Sequence, residues 1–143
     1  MDDGNIVAIH FGSVREPRRF VVQRRGRSGR HTFEVFTPGT LREFLIELLS
    51  VLKTSQPGFM ARLAQLEDAQ WQKSKHKTRH LISKEREHVY INGEHQTEKY
   101  TEALLGYWFA TRIGRKDVSA LVELACEAAG VARKSLYGHG LKL

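Results

Sequence analysis

At Thr37-Pro38-Gly39-Thr40 the apolar residues change their spacing from every second position to every third or fourth, so strands must be joined to a helix there. Upstream, residues 5–11 (NIVAIHF) and 18–25 (RRFVVQRR) read as strands, and His31 to Phe36 (HTFEVF) alternates as a third. Between the last two, Gly26-Arg27-Ser28-Gly29 is a turn signal, because glycine supplies the left-handed backbone that a tight reversal needs. A β-meander or hairpin is predicted. Downstream, Thr40 is a good N-cap with Glu43 three residues later, the spacing of a capping box. Leu41, Phe44, Leu45, Leu48, Leu49 and Leu52 then share one helical face.

Pro57-Gly58 ends that helix, and a second follows with Phe59, Leu63 and Leu66 on one stripe and Trp71 near its end. The basic run 73–80 (KSKHKTRH) stops the helical pattern. Residues 79–83 (RHLIS) read as a strand and 88–91 (HVYI) as another short one, with Asn92-Gly93 a strong turn signal. Residues 94–106 read as a loop with a helical turn around 101–105. Residues 107–111 (YWFAT) are strand-like, and a helix is predicted from about 115 to 129, stopped by Gly130. The basic tail 131–143 reads as a short helix and a frayed end. The expected fold is α+β: a small antiparallel sheet flanked by helices, with the N-terminal β-hairpin or meander packed on it or extending from it. Two segments are expected, an Arg-rich β-segment at 1–38 and a domain at 39–143.

A chain of 143 residues with 41% apolar content can bury a core without disulfide or metal staples. Its single cysteine, Cys126, excludes an internal disulfide and lies in an apolar helical run, where a buried inert thiol is expected. No apolar stretch approaches the roughly 18 residues of a membrane span. The start, MDDGNIVAIHFG, is acidic and lacks the layout of a signal peptide, so a cytoplasmic, nucleoid-associated location is expected.

The formal net charge of +7 favours a polyanionic partner, and three clusters could meet one. The first is Lys75, Lys77, Thr78 and Arg79, cations and a hydroxyl that open a predicted strand; Lys and Arg neutralise phosphates and release counterions. The second is Thr111, Arg112, Gly114, Arg115 and Lys116, between a strand and a helix start, where backbone N–H groups and the helix dipole favour an anion. The third is the hairpin arginines Arg24, Arg25, Arg27 and Arg30, from a stretch in which seven arginines face three acids before residue 31. Each also reads as ordinary solvated charge, the third as protection of a sheet edge. Catalysis finds little support. His76 and His80 stand four apart without the Glu of an HExxH motif, and no GxSxG, Walker A or GxGxxG motif is present. No cofactor, metal, membrane or small-molecule substrate is expected.

From about residue 40 onwards the order and spacing of landmarks resemble the C-terminal DNA-binding domain of the SeqA family, bacterial proteins of replication control. The landmarks are the helix LREFLIELLSVL, Lys77-Thr78-Arg79, Asn92-Gly93, Tyr107-Trp108 and Gly114-Arg115-Lys116 before a closing apolar helix. The resemblance implies non-catalytic binding of duplex DNA through the major groove, with a preference for hemimethylated GATC sites. It also implies that Lys77, Thr78 and Arg79 meet phosphate and groove, while Thr111, Arg112, Gly114, Arg115 and Lys116 form the recognition loop and helix start. The family's asparagine-bearing loop is shorter here and holds no Asn, leaving Arg112 to bond a guanine edge or a phosphate. The family's separate oligomerising module is replaced by the Arg-rich β-segment, and pairing of two copies stays open. The alternative class is an adaptor whose basic surface meets an acidic protein or RNA.

Overall fold

The structure, a computed structural model, describes residues 5–12, 19–74, 79–90, 100–111 and 114–135. It is α+β, and its contacts divide the chain into two compact units, one of Met1–Pro57 with Ala129–Leu143 and one of Gly58–Ala128. The first long helix thus groups with the N-terminal strands, a division other than the one at residue 38 read from the sequence.

In the first unit, β1 (Asn5–Phe11), β2 (Phe20–Arg25) and β3 (His31–Phe36) form the expected antiparallel meander. The register slips between Ile6 and Ala8, a bulge that leaves Val7 unpaired. A fourth strand, which we number β7 (Ala132–Ser135), pairs parallel to β1, so the sheet order is β3-β2-β1-β7. In the tail read as a short helix and a frayed end, residues 132–135 are therefore a strand, and residues 136–143 lie outside the described residues. Gly130 at φ 70° turns the chain out of the preceding helix, and the open edge of β1 then outweighs local preference.

The helix α1 (Leu41–Ser55) starts as its sequence requires. Thr40 Oγ1 accepts from the Glu43 amide at 3.1 Å, and the Glu43 carboxylate reaches back to the Gly39 amide at 2.9 Å. Phe44 of α1 meets Phe20 edge-on, with ring centres 5.7 Å apart at 90°, and meets Phe11 at 6.4 Å. Phe20 stacks on Phe36 at 4.7 Å. Strand pairing puts Phe11, Phe20 and Phe36 on one sheet face, so that face carries α1.

The opposite face holds a polar thread across three strands. Buried His10 bonds Gln23 Oε1 through Nε2 at 2.8 Å, and Gln23 Nε2 donates to His31 Nδ1 at 3.0 Å. Phe33 and Val35 share this face and stand 46% and 45% exposed on β3, which has no strand outside it among the described residues.

The β2–β3 hairpin closes with Gly26 N–H donating to Arg30 C=O at 2.9 Å and Gly29 N–H donating to Gly26 C=O at 3.0 Å. Gly29 sits at φ 82°, the left-handed position that follows a type I turn in such loops. Nothing obstructs a Cβ there, the nearest atom being the Arg25 guanidinium at 3.8 Å, so the penalty of a side chain is conformational. Gly29→Ala is expected to lower stability by about 1–2 kcal/mol in urea denaturation. An unchanged midpoint would show that the loop adopts another turn.

The second unit holds α2 (Phe59–Gln72), β4 (Ile82–Ser83), a 3-10 turn at Arg86–His88, β5 (Thr101–Leu104), β6 (Tyr107–Ala110) and α3 (Arg115–Ala129). Its antiparallel sheet has the order β4-β6-β5. Only Ile82 and Ser83 of the strand predicted at 79–83 belong to that sheet, and Arg79 instead makes an isolated bridge with Tyr90. Of the strand predicted at 88–91, His88 closes the 3-10 turn, Tyr90 makes the single bridge with Arg79, and residue 91 lies outside the described residues. Asn92-Gly93 lies outside the described residues. The helical turn expected around 101–105 is β5, joined to β6 by a two-residue hairpin of Leu105 (φ 53°) and Gly106 (φ 82°). Such mirror-image turns normally announce themselves by Asn-Gly or Asp-Gly, and Leu-Gly hides the signal. Phe59, Leu63, Ile82, Phe109 and Leu121 are buried, as is Cys126.

Candidate nucleic-acid interface

Leu63 and Phe59 put one stripe of α2 into the core, and the next position of that stripe is Glu67, only 1% exposed. Its carboxylate accepts from His80 Nδ1 at 2.7 Å and from the Leu81 amide at 2.8 Å. His80 also stacks on Trp71, one turn further along α2, with ring centres 4.3 Å apart. Backbone bonds from His80 N–H to Val89 C=O and from Ala110 N–H to Leu81 C=O complete the seat of this segment. The chain leading out of the basic run is thereby held to α2 on one side and to the sheet on the other.

Arg79 precedes this anchored pair. Its Nη2 donates to Asp117 Oδ2 at 2.5 Å, in the first turn of α3. The two side chains are 29% and 36% exposed, so the pair contributes about 0.2–1 kcal/mol to stability. Its consequence is positional: it ties the end of one basic element to the helix start that carries the other. Arg79 Nε is shielded from solvent and makes no hydrogen bond among the described residues.

At that helix start Gly114 C=O accepts from the Val118 amide at 3.0 Å, and Gly114 has no side chain to cap the first-turn amides. Gly114, Lys116 and Thr111 are exposed, and the Thr111 amide donates to Tyr100 C=O at 2.9 Å. Arg115 is the first residue of α3. Lys75, Lys77, Thr78 and Arg112 lie outside the described residues. Of the residues read as candidates, Arg79, Gly114, Arg115 and Lys116 are thus brought to one locality. Arg79 is partly engaged by a carboxylate that nothing in its local sequence announces.

Two cations escaped sequence reading. Lys84 lies over the Tyr107 ring at 4.7 Å, and Arg86 lies over Trp108 at 4.9 Å while its Nε donates to Thr101 Oγ1 at 3.0 Å. Their signal is sheet register, which a single sequence does not display. Among the described residues no three His, Cys, Asp or Glu side chains converge as a metal site, and no helix is long and apolar enough to cross a membrane.

The hairpin arginines belong to the first unit. Arg24, Arg27 and Arg30 line an open concavity of about 760 Å³ together with Ser28, Phe33 and Glu34. Arg25 is exposed and lies against Gly29.

Comparison with protein-family models, curated proteins and solved structures yields no significant match to this chain.

Proposed function

We propose that the chain is a non-catalytic duplex DNA-binding protein, similar in kind to the SeqA C-terminal domain, whose Gly58–Ala128 unit meets DNA. The supporting observation is the Arg79–Asp117 contact, because it joins two basic elements that are 38 residues apart in sequence. Lysine and arginine at such a place displace counterions from the phosphate backbone, which supplies most sequence-independent affinity. The amides of a helix start favour a phosphate oxygen, and this favours anions at the Gly114–Lys116 position despite the cations around it. Asp117 keeps Arg79 extended until phosphate or a base edge competes for the guanidinium. Preference for hemimethylated GATC and a role in replication control are the finer part of the proposal and rest on the order of landmarks alone.

Fluorescence anisotropy tests this with unmethylated, hemimethylated and fully methylated GATC duplexes and a scrambled control, at two salt concentrations. Binding that weakens log-linearly with salt is expected, strongest on the hemimethylated duplex. Absence of salt-sensitive binding to all four would overturn the DNA reading and favour a protein partner. Arg79→Ala is expected to weaken binding by about 1–3 kcal/mol if the guanidinium reads a base edge, selectively for the preferred duplex. A loss shared equally by every duplex would reduce Arg79 to a phosphate contact, and no loss would remove it from the site.

A further inference from the structure

We infer that the free edge of β3 is a self-association surface, on which the β3 of a second copy of this chain pairs antiparallel with Phe33 opposite Phe33. The surface belongs to the first unit, uses no residue of the proposed duplex interface and does not rest on that reading. Its first support is backbone geometry. Gly26 N–H donates to Arg30 C=O, and on the other side of β2 Gly12 N–H donates to Arg19 C=O. Hydrogen-bonded pairs alternate along an antiparallel ladder, so Phe20, Val22 and Arg24 bond Phe36, Glu34 and Thr32. His31, Phe33 and Val35 therefore turn their N–H and C=O groups outward, where no strand lies among the described residues. All three residues are exposed. Edges of this kind are normally blocked by proline, a bulge or a row of charges. β3 has no proline, its register with β2 is unbroken, and its one formal charge is Glu34.

The side chains select the register and the occupant. Two-fold antiparallel pairing keeps each sheet face on its own side, so allowed registers differ by steps of two residues. With Phe33 opposite Phe33, His31 opposes Val35, and the outward backbone groups of His31, Phe33 and Val35 all find partners. The side chains of Phe33 and Val35, 46% and 45% exposed, come together on the face that carries His10, Gln23 and His31. On the α1 face, Thr32 opposes Glu34 of the second copy, a hydroxyl donor against a carboxylate acceptor. Arg24, paired with Thr32 in its own sheet, stands next in that row. A shift of two residues, with Phe33 opposite Val35, sets the two Glu34 carboxylates directly against each other and leaves His31 unpaired. The segment His31–Val35 is thus complementary to itself, as an isologous contact requires. The hairpin arginines do not oppose it. Antiparallel strands send the two β2–β3 turns in opposite directions, so the two copies of Arg30 stand ~20 Å apart. That exceeds the Debye length of ~8–10 Å at ordinary salt.

The test is sedimentation velocity of the whole chain without nucleic acid, across a concentration series. A reversible monomer–dimer equilibrium is expected. Phe33→Lys sets two like charges opposite each other at the centre and should abolish the dimer while circular dichroism is unchanged. Val35→Pro removes an outward N–H and no bond to β2, and should weaken association with the hairpin intact. Oxidation reads the register. Thr32→Cys mixed with Glu34→Cys should give a disulfide-linked heterodimer, because such a pair brings Cα atoms to about 4.5 Å, within disulfide reach. The chain's own thiol, Cys126, is buried. A chain monomeric at every concentration overturns the proposal and leaves the edge to a strand of another protein. A dimer indifferent to Phe33→Lys and Val35→Pro overturns it too, as does a mixture that is dimeric yet fails to cross-link.

Discussion

Glu67→Ala is expected to lower the stability of the Gly58–Ala128 unit by about 2–5 kcal/mol, because a buried acceptor of two hydrogen bonds is removed. Two donors lose their acceptor together. The Leu81 amide and His80 Nδ1 both point at a carboxylate that is 1% exposed, and water has little access to replace it. Each buried group left unsatisfied costs about 1–3 kcal/mol, and the vacated volume adds to that. Glu67→Gln separates hydrogen bonding from packing. Its amide oxygen can still accept from Leu81, and its NH₂ can donate to His80 if the imidazole presents the lone pair of Nδ1, so a smaller loss of about 1–2 kcal/mol is expected. Both tryptophans, Trp71 and Trp108, lie in this unit, and Trp71 stacks on His80 itself. Urea denaturation followed by tryptophan fluorescence therefore reads the effect where it occurs. A Glu67→Ala midpoint equal to the parent's would mean that the segment carrying Arg79 is held by the sheet alone.

Glu67 also shows what a single sequence conceals. Phe59, Leu63, Glu67 and Trp71 are spaced by four, so the carboxylate stands in the apolar stripe, while Leu66, read as part of that stripe, is only half-buried. The spacing was visible, but its cause was not, because the donors come from residues 80 and 81 across the fold. Elements whose signals are local were legible. The meander, the Thr40 cap, α1 and α3 each follow from alternation, capping chemistry or a sustained helical face. Elements that depend on a distant partner were not. β7 exists because β1 offers an open edge, and β5 exists because β6 returns beside it through a Leu-Gly turn.

The same division runs through the candidate site. Charge and the strand-to-helix junction marked Arg79 and Gly114 to Lys116 without any knowledge of the fold. Their meeting through Asp117 needed it. The hairpin arginines were legible as a group, because the Gly26 to Gly29 turn folds a local stretch. The exposure of Phe33 was not, since alternation in HTFEVF gives Phe33 and Val35 the spacing of a buried face, and only edge position leaves them half open.

In the first unit the largest expected effect falls on Phe44. Its ring is 1% exposed and meets both Phe20 and Phe11, joining α1 to the two strands at the sheet's centre. Phe44→Ala is expected to lower stability by about 3–5 kcal/mol, the transfer energy of a benzyl group together with the cavity left among rigid neighbours. Edge-to-face contact with Phe20 contributes about 0.5–1.5 kcal/mol of aromatic preference beyond burial. Phe44→Leu keeps much of the volume but not the quadrupole, and should lose less than half as much. Tryptophan fluorescence is silent here, because both tryptophans are in the other unit. Amide hydrogen exchange of β1 and β2 is the appropriate probe: faster exchange in these strands is expected, graded Ala above Leu. Exchange unchanged in β1 and β2 would mean that the meander holds without α1. The β2–β3 hairpin would then keep its turn and its arginines in place without the helix.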